Sequence, residues 1–553
     1  MKILILGGYG VFGGRLAGLL ADVPGIELLI CGRRLDAASA FCAGYVGMPA
    51  VRALHVDRDR IEPVLAAERP DLLVDASGPF QEYGERPYRV IEACIAARIP
   101  YLDFADGADF VFGVARFDAQ ARAAGVYVLS GVSSFPVLTA AVVRRMARDM
   151  DIVTVEGGIA PSPHAGIGLN VMRAVVGYAG APVKLRRNGA PGHGLGLAES
   201  RRFTVAVPGR VPLRNLHFSL VDVPDLQVLP LEYPGMTDIW IGAAPIPEAL
   251  HRLLNLLVKA RARFGLPSLA PLSRLFYTVL NLMKFGEHRG GMYVRATGTH
   301  AGREMVQSWH LLAEGDGGPY IPSMAVEAVV RKLLVGERPH DGARPATHAL
   351  ELADYERLFD GRSIFTGFRR DDPDASLYPD LLGTAFATLP GQVQALHAAA
   401  HARQWRGVAE VRRGTGLLSR LVGGVFGFPP AGADVAVSVA FAPERGGERW
   451  TRDFAGKRFS SWQRRGEGRN ARLLVERFGL VDVALALVVE EDRLHLVARR
   501  WSCLGIPLPT ALLPSGRTFE TERDGRFVFD VEIAAPLVGL IAAYRGTLQA
   551  DPA

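Results

Sequence analysis

The glycine-rich stretch that follows the first apolar run constrains this chain most. Residues 2–6 form a short β-type run, residues 7–14 read Gly-Gly-Tyr-Gly-Val-Phe-Gly-Gly, and residues 15–21 follow a helical pattern. The glycines obey G-x-G-x-x-G between a strand and a helix. A side chain at such a turn would hold the backbone away from a pyrophosphate, whose charge the first helical amides attract. The stretch therefore predicts a dinucleotide site made by Gly7, Gly8, Tyr9, Gly10, Val11, Phe12 and Gly13.

The end of the second apolar run indicates which dinucleotide is bound. Residues 26–31 are followed by Gly32, Arg33 and Arg34, and no acidic residue occurs before Asp36. NAD sites usually place an acidic residue here on the ribose 2′-hydroxyl, whereas NADP sites offer arginine to the 2′-phosphate. Arg33 and Arg34 therefore favour NADP over NAD. The alternative is a solvated loop, because only six of the 63 basic residues are lysines and arginine is common throughout.

Strand and helix patterns continue to alternate up to about residue 145. This rhythm predicts an α/β fold with a Rossmann-like, doubly wound parallel sheet. Ligands of such sheets bind beyond the carboxyl ends of the strands. Asp57 follows the third strand, where its side chain would reach the adenine. The turn after the fourth strand adds the candidate cofactor residues Ala76, Ser77, Gly78, Pro79 and Phe80.

Several segments of this region resemble one enzyme superfamily. They are the glycine fingerprint, Asp75–Phe80 with Tyr83-Gly84 after it, Ile99–Asp103 and Gly131–Pro136. Together they resemble the saccharopine dehydrogenase-like oxidoreductases, well over about residues 1–145 and more loosely to about 370. The resemblance implies a Rossmann domain at 1–145, a mixed α/β substrate domain at 146–319, and a segment 320–370 that returns to pack on the Rossmann sheet. It also implies that Gly78, Pro79 and Phe80 lie beside the nicotinamide.

Two related activities fit the residues less well. No basic cluster suited to an amino-dicarboxylate occurs at the matching positions, which favours the "-like oxidoreductase" branch over lysine metabolism. The glycine spacing also occurs in extended short-chain dehydrogenases, which use a Tyr-x-x-x-Lys pair. None of the six lysines has a tyrosine four residues before it, so that mechanism is excluded.

The residues that would handle the substrate are harder to rank. Between about 151 and 319, strand-like runs alternate with turns, which predicts a largely antiparallel sheet over the nucleotide crevice. A proton donor has to lie within hydrogen-bond reach of the substrate. Taken one at a time, each candidate is more commonly a turn or capping residue; the candidate catalytic residues are Tyr83, Asp103 and Ser134, followed by His164 and Asn170. The pattern contains no set of ligands that predicts a metal site.

A basic amphipathic stretch stands out between residues 247 and 285. Leu250, Leu253, Leu254 and Leu257 share one helical face, and basic residues flank them. Such a helix can lie on an anionic membrane surface, which gives a peripheral membrane contact through 250–285. The more common arrangement is a helix whose leucines face the core.

Residues 374–551 predict a third, β-rich α+β domain. Residues 377–403 have a helical pattern, in which His397 and His401 are assigned to the helix surface. Val483–Val489 and Leu494–Arg500 predict a hairpin. A curved antiparallel sheet with a helix would form a cup for an apolar ligand, and a dimerisation module for a homodimer is the alternative. The stretch resembles an uncharacterised domain that follows saccharopine dehydrogenase-like domains in bacterial proteins.

Composition restricts the class of protein, its compartment and its partners. Hydrophobic residues make up 49% and charged residues 22% of the chain, which excludes a disordered or fibrous protein. Four cysteines without a CxxC pair and no apolar run of about 18 residues predict a cytoplasmic protein, at most peripheral to the inner face of the membrane. Nucleic acid is not an expected partner, because the arginines are dispersed without a recognised module.

These patterns lead to one main hypothesis and one alternative. The main hypothesis is an NADP-dependent oxidoreductase that transfers a hydride to or from a small-molecule carbonyl, imine or activated alkene, including an apolar one. The alternative is a non-catalytic nucleotide-binding or membrane-associated scaffold protein, which the lack of a catalytic signature and the 250–285 stretch both motivate.

Overall fold

A computed structural model gives the architecture of the chain. It describes residues 1–80, 83–166, 168–245, 247–267, 269–282, 284–372, 374–398, 401–444 and 446–551. The chain divides into two compact units, the first made of residues 1–202 and 216–365 and the second of residues 203–215 and 366–553. The sequence predicted a boundary near residue 374 but not the transfer of 203–215 to the second unit. Within the described part, no helix is long and apolar enough to span a membrane.

The first unit is built on two seven-stranded sheets. Its strands are β1 (Lys2–Leu6), β2 (Glu27–Gly32), β3 (Ala50–His55), β4 (Leu72–Asp75), β5 (Tyr101–Asp103), β6 (Tyr127–Ser130), β7 (Asp151–Ala160), β8 (Pro182–Arg187), β9 (Ala190–Leu195), β10 (Ser200–Thr204), β11 (Asn215–Leu220), β12 (Asp238–Ala243), β13 (Arg289–His300), β14 (Arg303–Glu314), β15 (Gly342–Pro345) and β16 (Ile364–Arg370). Its helices are α1 (Val11–Leu19), α2 (Leu35–Ala43), α3 (Glu62–Glu68), α4 (Arg89–Ala97), α5 (Ala108–Gly113), α6 (Asp118–Ala124), α7 (Thr139–Ala147), α8 (Leu169–Gly177), α9 (Asp225–Glu232), α10 (Glu248–Phe264), α11 (Ser273–Leu282), α12 (Ile321–Leu334) and α13 (Leu352–Phe359).

The first sheet is the doubly wound parallel sheet that the sequence predicted. Its order is β15-β6-β5-β4-β1-β2-β3, and every neighbouring pair is parallel. Central strands such as β1 are apolar almost throughout because helices cover both faces. The strand order reverses direction between β1 and β4, which is where such sheets bind dinucleotides. The late strand β15 pairs with β6, and α12 packs on α1.

The second sheet is mixed: most of its strand pairs are antiparallel, as the sequence predicted, and one pair is parallel. Its order is β10-β11-β12-β7-β13-β14-β16. β7 pairs antiparallel with β13 but parallel with β12. The chain between β7 and β12 contains the separate β8–β9 hairpin and α8 and α9, and this long crossover permits parallel pairing. Alternation of apolar and polar residues reports burial of one face and does not report strand direction.

Helix α10 buries only part of the leucine face that the sequence predicted to lie against the core. It buries His251, Asn255 and Val258, while Leu253, Leu256 and Leu257 are exposed. Asn255 makes the buried contacts, since its Nδ2 donates to the Leu197 carbonyl and its Oδ1 pairs with His217 Nε2 at 2.8 Å. Leu250 and Leu254 are half-buried, so the prediction of a core-facing leucine stripe holds in part for these two and was wrong for Leu253 and Leu257.

The second unit is a closed antiparallel β-barrel. Its strands are β17 (Arg403–Arg413), β18 (Gly432–Glu444), β19 (Gly447–Phe454), β20 (Lys457–Arg465), β21 (Leu474–Phe478), β22 (Val481–Glu490), β23 (Arg493–Cys503), β24 (Ile506–Pro507), β25 (Thr518–Arg523), β26 (Arg526–Ala535) and β27 (Gly539–Ala550). Each strand pairs with the next along the chain, except that β24 pairs only with β23. The ring closes where β27 returns to β17. The predicted hairpin of residues 483–500 is confirmed as β22–β23.

Short helices complete this unit. They are α14 (Leu377–Leu382), a 3-10 turn (Gly383–Thr388), α15 (Gly391–Ala398) and α16 (Leu417–Val425). The prediction of one helix over 377–403 was wrong, because Gly383 has a φ of +59° and Pro390 precedes α15. The assignment of His397 to a helix surface was also wrong. Its ring is buried, stacks on Tyr378 at 3.7 Å, and its Nε2 lies 2.5 Å from Glu520 Oε2. His401 is exposed.

Candidate cofactor and substrate site

The glycine turn joins β1 to α1 at the carboxyl edge of the parallel sheet. The amides of Gly7 and Gly8 both donate to the Cys31 carbonyl, at 2.8 and 3.1 Å, which fixes the turn against β2. Gly7 has a φ of +79°, and a Cβ there would lie 2.7 Å from the Ala76 carbonyl oxygen. Only glycine fits this conformation and this approach. The turn is therefore held in contact with the segment that follows β4.

The start of α1 supplies the groups that a phosphate needs. A Cβ on Gly13 would lie 2.5 Å from the Gly7 carbonyl oxygen, so the helix packs directly on the turn. No side chain among the described residues caps the helix after Gly10. The first amides of a helix lack internal partners and carry the positive end of its dipole. This arrangement fits the pyrophosphate of a dinucleotide.

The arginines predicted to bind a 2′-phosphate lie directly after β2. Arg33 and Arg34 are both exposed, and in the described part of the chain neither makes an ion pair with an acidic side chain. Tyr9 packs over Gly32, where a Cβ would come within 2.5 Å of its ring, and its hydroxyl accepts from the Arg34 amide at 3.2 Å. Two guanidinium groups are thus available at the edge where the adenosine half binds.

Asp57 has a local structural role. Its carboxylate accepts from the Asp59 amide at 3.0 Å and caps a 3-10 turn at Arg58–Arg60 after β3. A contact between Asp57 and adenine stays a prediction.

A buried hydrogen-bond network lies after β4, on the side of the sheet expected to face the nicotinamide. Asp75 is fully buried, and its Oδ1 accepts from both the amide and the hydroxyl of Ser77, at 2.9 and 2.6 Å. The Ser77 hydroxyl also lies 2.8 Å from the hydroxyl of Tyr83, whose ring contacts the Arg58 guanidinium at 3.6 Å. Burial raises the pKa of both Asp75 and Tyr83. The sequence candidates Ser77 and Tyr83 are therefore brought together.

The Phe80 ring folds back against Gly78 of the turn that it ends, where a Cβ would lie 3.3 Å from the ring. Its ring is buried at 5.0 Å from Tyr83 and 5.1 Å from Phe110. Ala76, Ser77, Gly78 and Pro79 are half-buried. The Phe80 ring is therefore largely shielded, and a contact between residues 76–79 and a cofactor stays a prediction.

Asp103 connects the ends of two neighbouring strands. It is fully buried, and it accepts from the Ala105 amide, the Ser130 hydroxyl and the Gly131 amide at 2.7–3.0 Å. Burial raises its pKa to about 7, against the opposing effect of these three donors. With its oxygens occupied, Asp103 holds the turn after β6 in place.

The remaining candidates are spread over several turns. Ser134 lies in the turn after β6, is buried, and its Oγ has no partner among the described residues. The hydroxyl is itself shielded, and a role for Ser134 in binding a ligand stays a prediction. His164 packs against His288 with 4.7 Å between ring centroids, away from this cluster. The side chain of Asn170 lies outside the described residues.

The structure adds an acidic cluster that sequence patterns missed. Asp222, after β11, lies close enough to Asp106, after β5, and Asp109, in α5, for their charges to act on it. Burial raises the pKa of Asp222 to about 6, the two aspartates add to the rise, and Lys184 opposes it. Lys184 Nζ binds Asp109 at 2.9 Å. These residues are too far apart in the chain for a sequence motif to connect them. The one sequence signal for Asp222 is its position as a charged residue shortly after the end of β11.

Two protein-family models match parts of this chain. Residues 3–129 match the model of the saccharopine dehydrogenase NADP binding domain. That segment contains the glycine turn, Arg33, Arg34 and the network around Asp75. Residues 389–548, which form most of the barrel, match a domain of unknown function. The first of these matches supports an oxidoreductase that uses a nicotinamide cofactor, and the second assigns no role to the barrel.

Whole-structure comparison finds only distant similarity. The apo saccharopine dehydrogenase (L-Glu forming) from Saccharomyces cerevisiae is 12% identical, covers 67% of this chain and 100% of its own, and has a TM-score of 0.47. An amine dehydrogenase from Mycobacterium smegmatis is 12% identical over 62% of this chain and 94% of its own, with a TM-score of 0.31. The WlbA dehydrogenase from Thermus thermophilus, in complex with NAD and α-ketoglutarate, is 13% identical over 65% and 94%, with a TM-score of 0.30. No curated protein matches the sequence.

Proposed function

We propose that this protein is an NADP-dependent oxidoreductase that transfers a hydride to or from a carbonyl, imine or activated alkene. The observation that carries the proposal is the pairing of an uncapped glycine turn with two arginines that lack acidic partners, both at the carboxyl edge of the parallel sheet. NADP would supply the hydride chemistry, and the protein would orient both reactants.

Each half of the cofactor has residues that suit it. The first amides of α1 would bind the pyrophosphate, and Arg33 and Arg34 would bind the 2′-phosphate. The nicotinamide would lie on the β4–β6 side, against the backbone of 76–79. Phe104, directly after β5, stacks on Phe12 at 5.7 Å, which links the glycine turn to that side of the sheet.

Asp222 is the best-placed group to handle a proton. Carbonyl or imine reduction needs a proton donor as well as a hydride, and a donor works best when its pKa is close to the operating pH. The pKa of Asp222 is about 6, and Asp222 lies near Asp106, which follows the carboxyl end of β5. In the reductive direction, protonated Asp222 would donate to the substrate.

We expect the protein to consume NADPH with at least one member of a panel of aldehydes, imines and enones. The rate should fall as the pH rises above about 6, because Asp222 then loses the proton that it donates. Asp222→Asn should lower kcat by about 100-fold or more, the range of general acid–base catalysis, and should leave NADPH binding unchanged. Stopped-flow absorbance and NADPH fluorescence titration measure the two quantities.

Two further measurements separate this role from a structural one. Removing Asp109 by Asp109→Asn lowers the pKa of Asp222, so the pH profile should move to lower pH without loss of activity. Native Asp222 keeps its proton to a higher pH than the unfolded chain, so stability is lost as the pH rises through about 6. Above that pH, Asp222→Asn should therefore raise the Tm. Failure to bind either NADP(H) or NAD(H) more tightly than about millimolar would reject the enzyme hypothesis altogether.

A second function is favoured by the exposed apolar side chains of α10 and α11. We propose that α10 and α11 place the first unit on an anionic membrane surface. Large apolar side chains on this stretch are exposed, including Leu256 (64%), Phe264 (71%) and Leu282 (77%). Residues 249–286 contain six basic residues and no acidic one. Exposed leucines flanked by cations match the two attractions of an interfacial helix, apolar insertion and charge pairing with anionic lipid.

Vesicle flotation tests this contact. We expect the full chain to float with phosphatidylcholine vesicles that contain about one-third phosphatidylserine, and not with phosphatidylcholine alone. Leu256→Ser combined with Phe264→Ser should reduce binding by at least about tenfold, because each buried side chain contributes roughly 1.5–3 kcal/mol. Val335→Ser removes an equally exposed apolar residue after α12 and should have no effect. If the double variant instead converts a dimer into a monomer and no vesicle binds, a second copy of the chain covers this face and the membrane proposal is wrong.

A further inference from the structure

The barrel of the second unit has room inside. It contains a cavity of about 170 Å³. Barrels of eight strands are just wide enough for side chains to fill them, and the diameter grows with strand number. In this barrel ten strands close the ring. Because an apolar cavity of roughly 150 Å³ holds benzene, this one accepts an apolar group of at least that size.

The cavity wall is mainly aromatic and aliphatic. Alternate residues of each strand point inward, and these positions are apolar on most strands of the ring. The aromatic part of the lining comprises Phe441, Trp450, Phe454, Phe478, Phe527 and Phe529. Such a wall excludes water and favours an apolar body.

One polar group in the wall lacks a partner. Gln463 lines the cavity and is 1% exposed, and its Oε1 accepts from the Tyr378 hydroxyl at 2.9 Å. Its Nε2 makes no hydrogen bond to the residues that the structure describes. A donor without a partner beside an apolar wall is unfavourable, and a ligand oxygen would recover that free energy.

The charged groups of the wall argue against an anionic ligand. Arg452 binds Glu476 at 3.1 Å and the Ser461 hydroxyl at 2.8 Å, and Glu520 binds His397. The cavity is thus lined by one guanidinium that is already paired and by three carboxylates, those of Glu476, Glu520 and Glu532. A carboxylate on the ligand would meet a net negative wall with no free cation.

An opening lies at one seam of the ring. β23 and β25 pair only through Leu494 with Glu520 and His495 with Phe519, and then separate. The loop that covers this gap contributes Ser515 and Gly516, which are exposed to solvent and also line the cavity. Ala498, on the separated part of β23, lines the cavity beside them. The interior is therefore reached from solvent beside this loop.

We propose that the barrel binds a neutral, mainly apolar small molecule whose polar head carries an oxygen acceptor, a hydroxyl or carbonyl, for Gln463 Nε2. The molecule enters between β23 and the 514–518 loop. Its apolar body lies against the aromatic wall. Because Arg452 and Glu520 are already paired, a charged head would have no partner in the cavity, and a neutral head fits best. This site lies in the second unit and does not depend on the NADP site.

Displacement of N-phenyl-1-naphthylamine, a neutral apolar fluorophore, tests the site on the full chain. We expect saturable binding of one fluorophore per chain. Decanol and decanamide should displace it at concentrations at least about tenfold lower than decanoate, because decanoate would bury an unpaired charge. A cationic head is tested with decylamine, which should also compete more weakly than decanol.

Matched variants locate the binding. Ala498→Phe fills the cavity from β23 and should abolish saturable binding, whereas Val497→Phe, on the outer face of the same strand, should leave it intact. Gln463→Met removes the donor and should weaken decanol and decanamide by about tenfold without changing decanoate. Ser515→Trp lies at the rim and should slow association even if Ala498→Phe fails to fold.

Several results would overturn the proposal. Fluorophore binding that persists in folded Ala498→Phe places the site elsewhere, for example on the exposed leucines of α10. Equal or better competition by decanoate or decylamine rejects the neutral head. Absence of saturable binding in the wild-type chain rejects the site itself, whereas NADPH titration of the same samples reports on the first unit separately.

Discussion

Replacing Gly10 by valine is expected to raise the Kd for NADPH by about 100-fold. A Cβ at Gly10 would lie 3.0 Å from the Gly7 carbonyl oxygen and would meet nothing else within 4 Å, so the turn has to shift by a few tenths of an ångström and the valine projects into the space beside the first turn of α1. It would displace the pyrophosphate from the helix amides. Two hydrogen bonds to a charged group are worth about 1.5–3 kcal/mol each, and losing about 3 kcal/mol corresponds to about 100-fold in Kd.

NADPH fluorescence titration and thermal unfolding measure this variant. The Tm should change little, since the added side chain is not buried in the protein core. Gly18→Val is the matched control, because Gly18 lies on the same helix and a Cβ there has nothing within 4 Å. If Gly10→Val binds NADPH as the wild type does, the glycine turn does not hold the phosphates.

Arg33→Asp is expected to reverse the cofactor preference. Arg33 is exposed after β2, where NADP enzymes bind the 2′-phosphate and NAD enzymes place an acidic residue on the ribose. The substitution removes one charge-assisted hydrogen bond of about 1.5–3 kcal/mol and adds repulsion, so NADPH should bind about 100-fold more weakly. NADH has no 2′-phosphate and should bind equally well or better.

The ratio of the two Kd values is the decisive quantity. Arg420→Asp makes the same change in net charge at an exposed position of α16 and should leave both cofactors unaffected. High salt should weaken NADPH more than NADH in the wild type, because the extra phosphate interaction is electrostatic and exposed charges are screened. An unchanged ratio in Arg33→Asp would mean that Arg33 lies in a solvated loop, which is the alternative that the sequence left open.

Short-range patterns predicted the parts of the candidate site that lie close together in the chain. The glycine turn, the arginine pair and the 76–80 turn each lie within a few residues of a strand end, and the alternation of elements places those ends at one edge. The roles of the buried carboxylates could not be predicted from such short-range patterns. Asp103 is a plausible acid in sequence, yet its pKa and its three hydrogen-bond donors come from β6 and the turn after β5.

Helices α10 and α15 show the same difference between what a local pattern predicts and what tertiary contacts decide. The pattern of residues 248–264 correctly predicts that Leu253 and Leu257 share a face, but it does not reveal which face the neighbouring elements cover. His217 of β11 and the Leu197 carbonyl bind Asn255, and with Asn255 facing inward Leu253 and Leu257 are exposed. His397 shows the reverse case, since its burial depends on Tyr378 and on Glu520 of β25.

By itself the sequence determined the dinucleotide-binding fold of the first 145 residues, the glycine turn and the β22–β23 hairpin, because each depends on residues within one or two elements. The tertiary structure alone decided the pairing of β12 with β7, the outward face of α10, the cluster around Asp222 and the closure of β27 on β17. These features join residues far apart in the chain, and their free energy comes from burial and pairing that no local spacing records. The cavity around Gln463 is the clearest instance, since ten strands have to close before it exists.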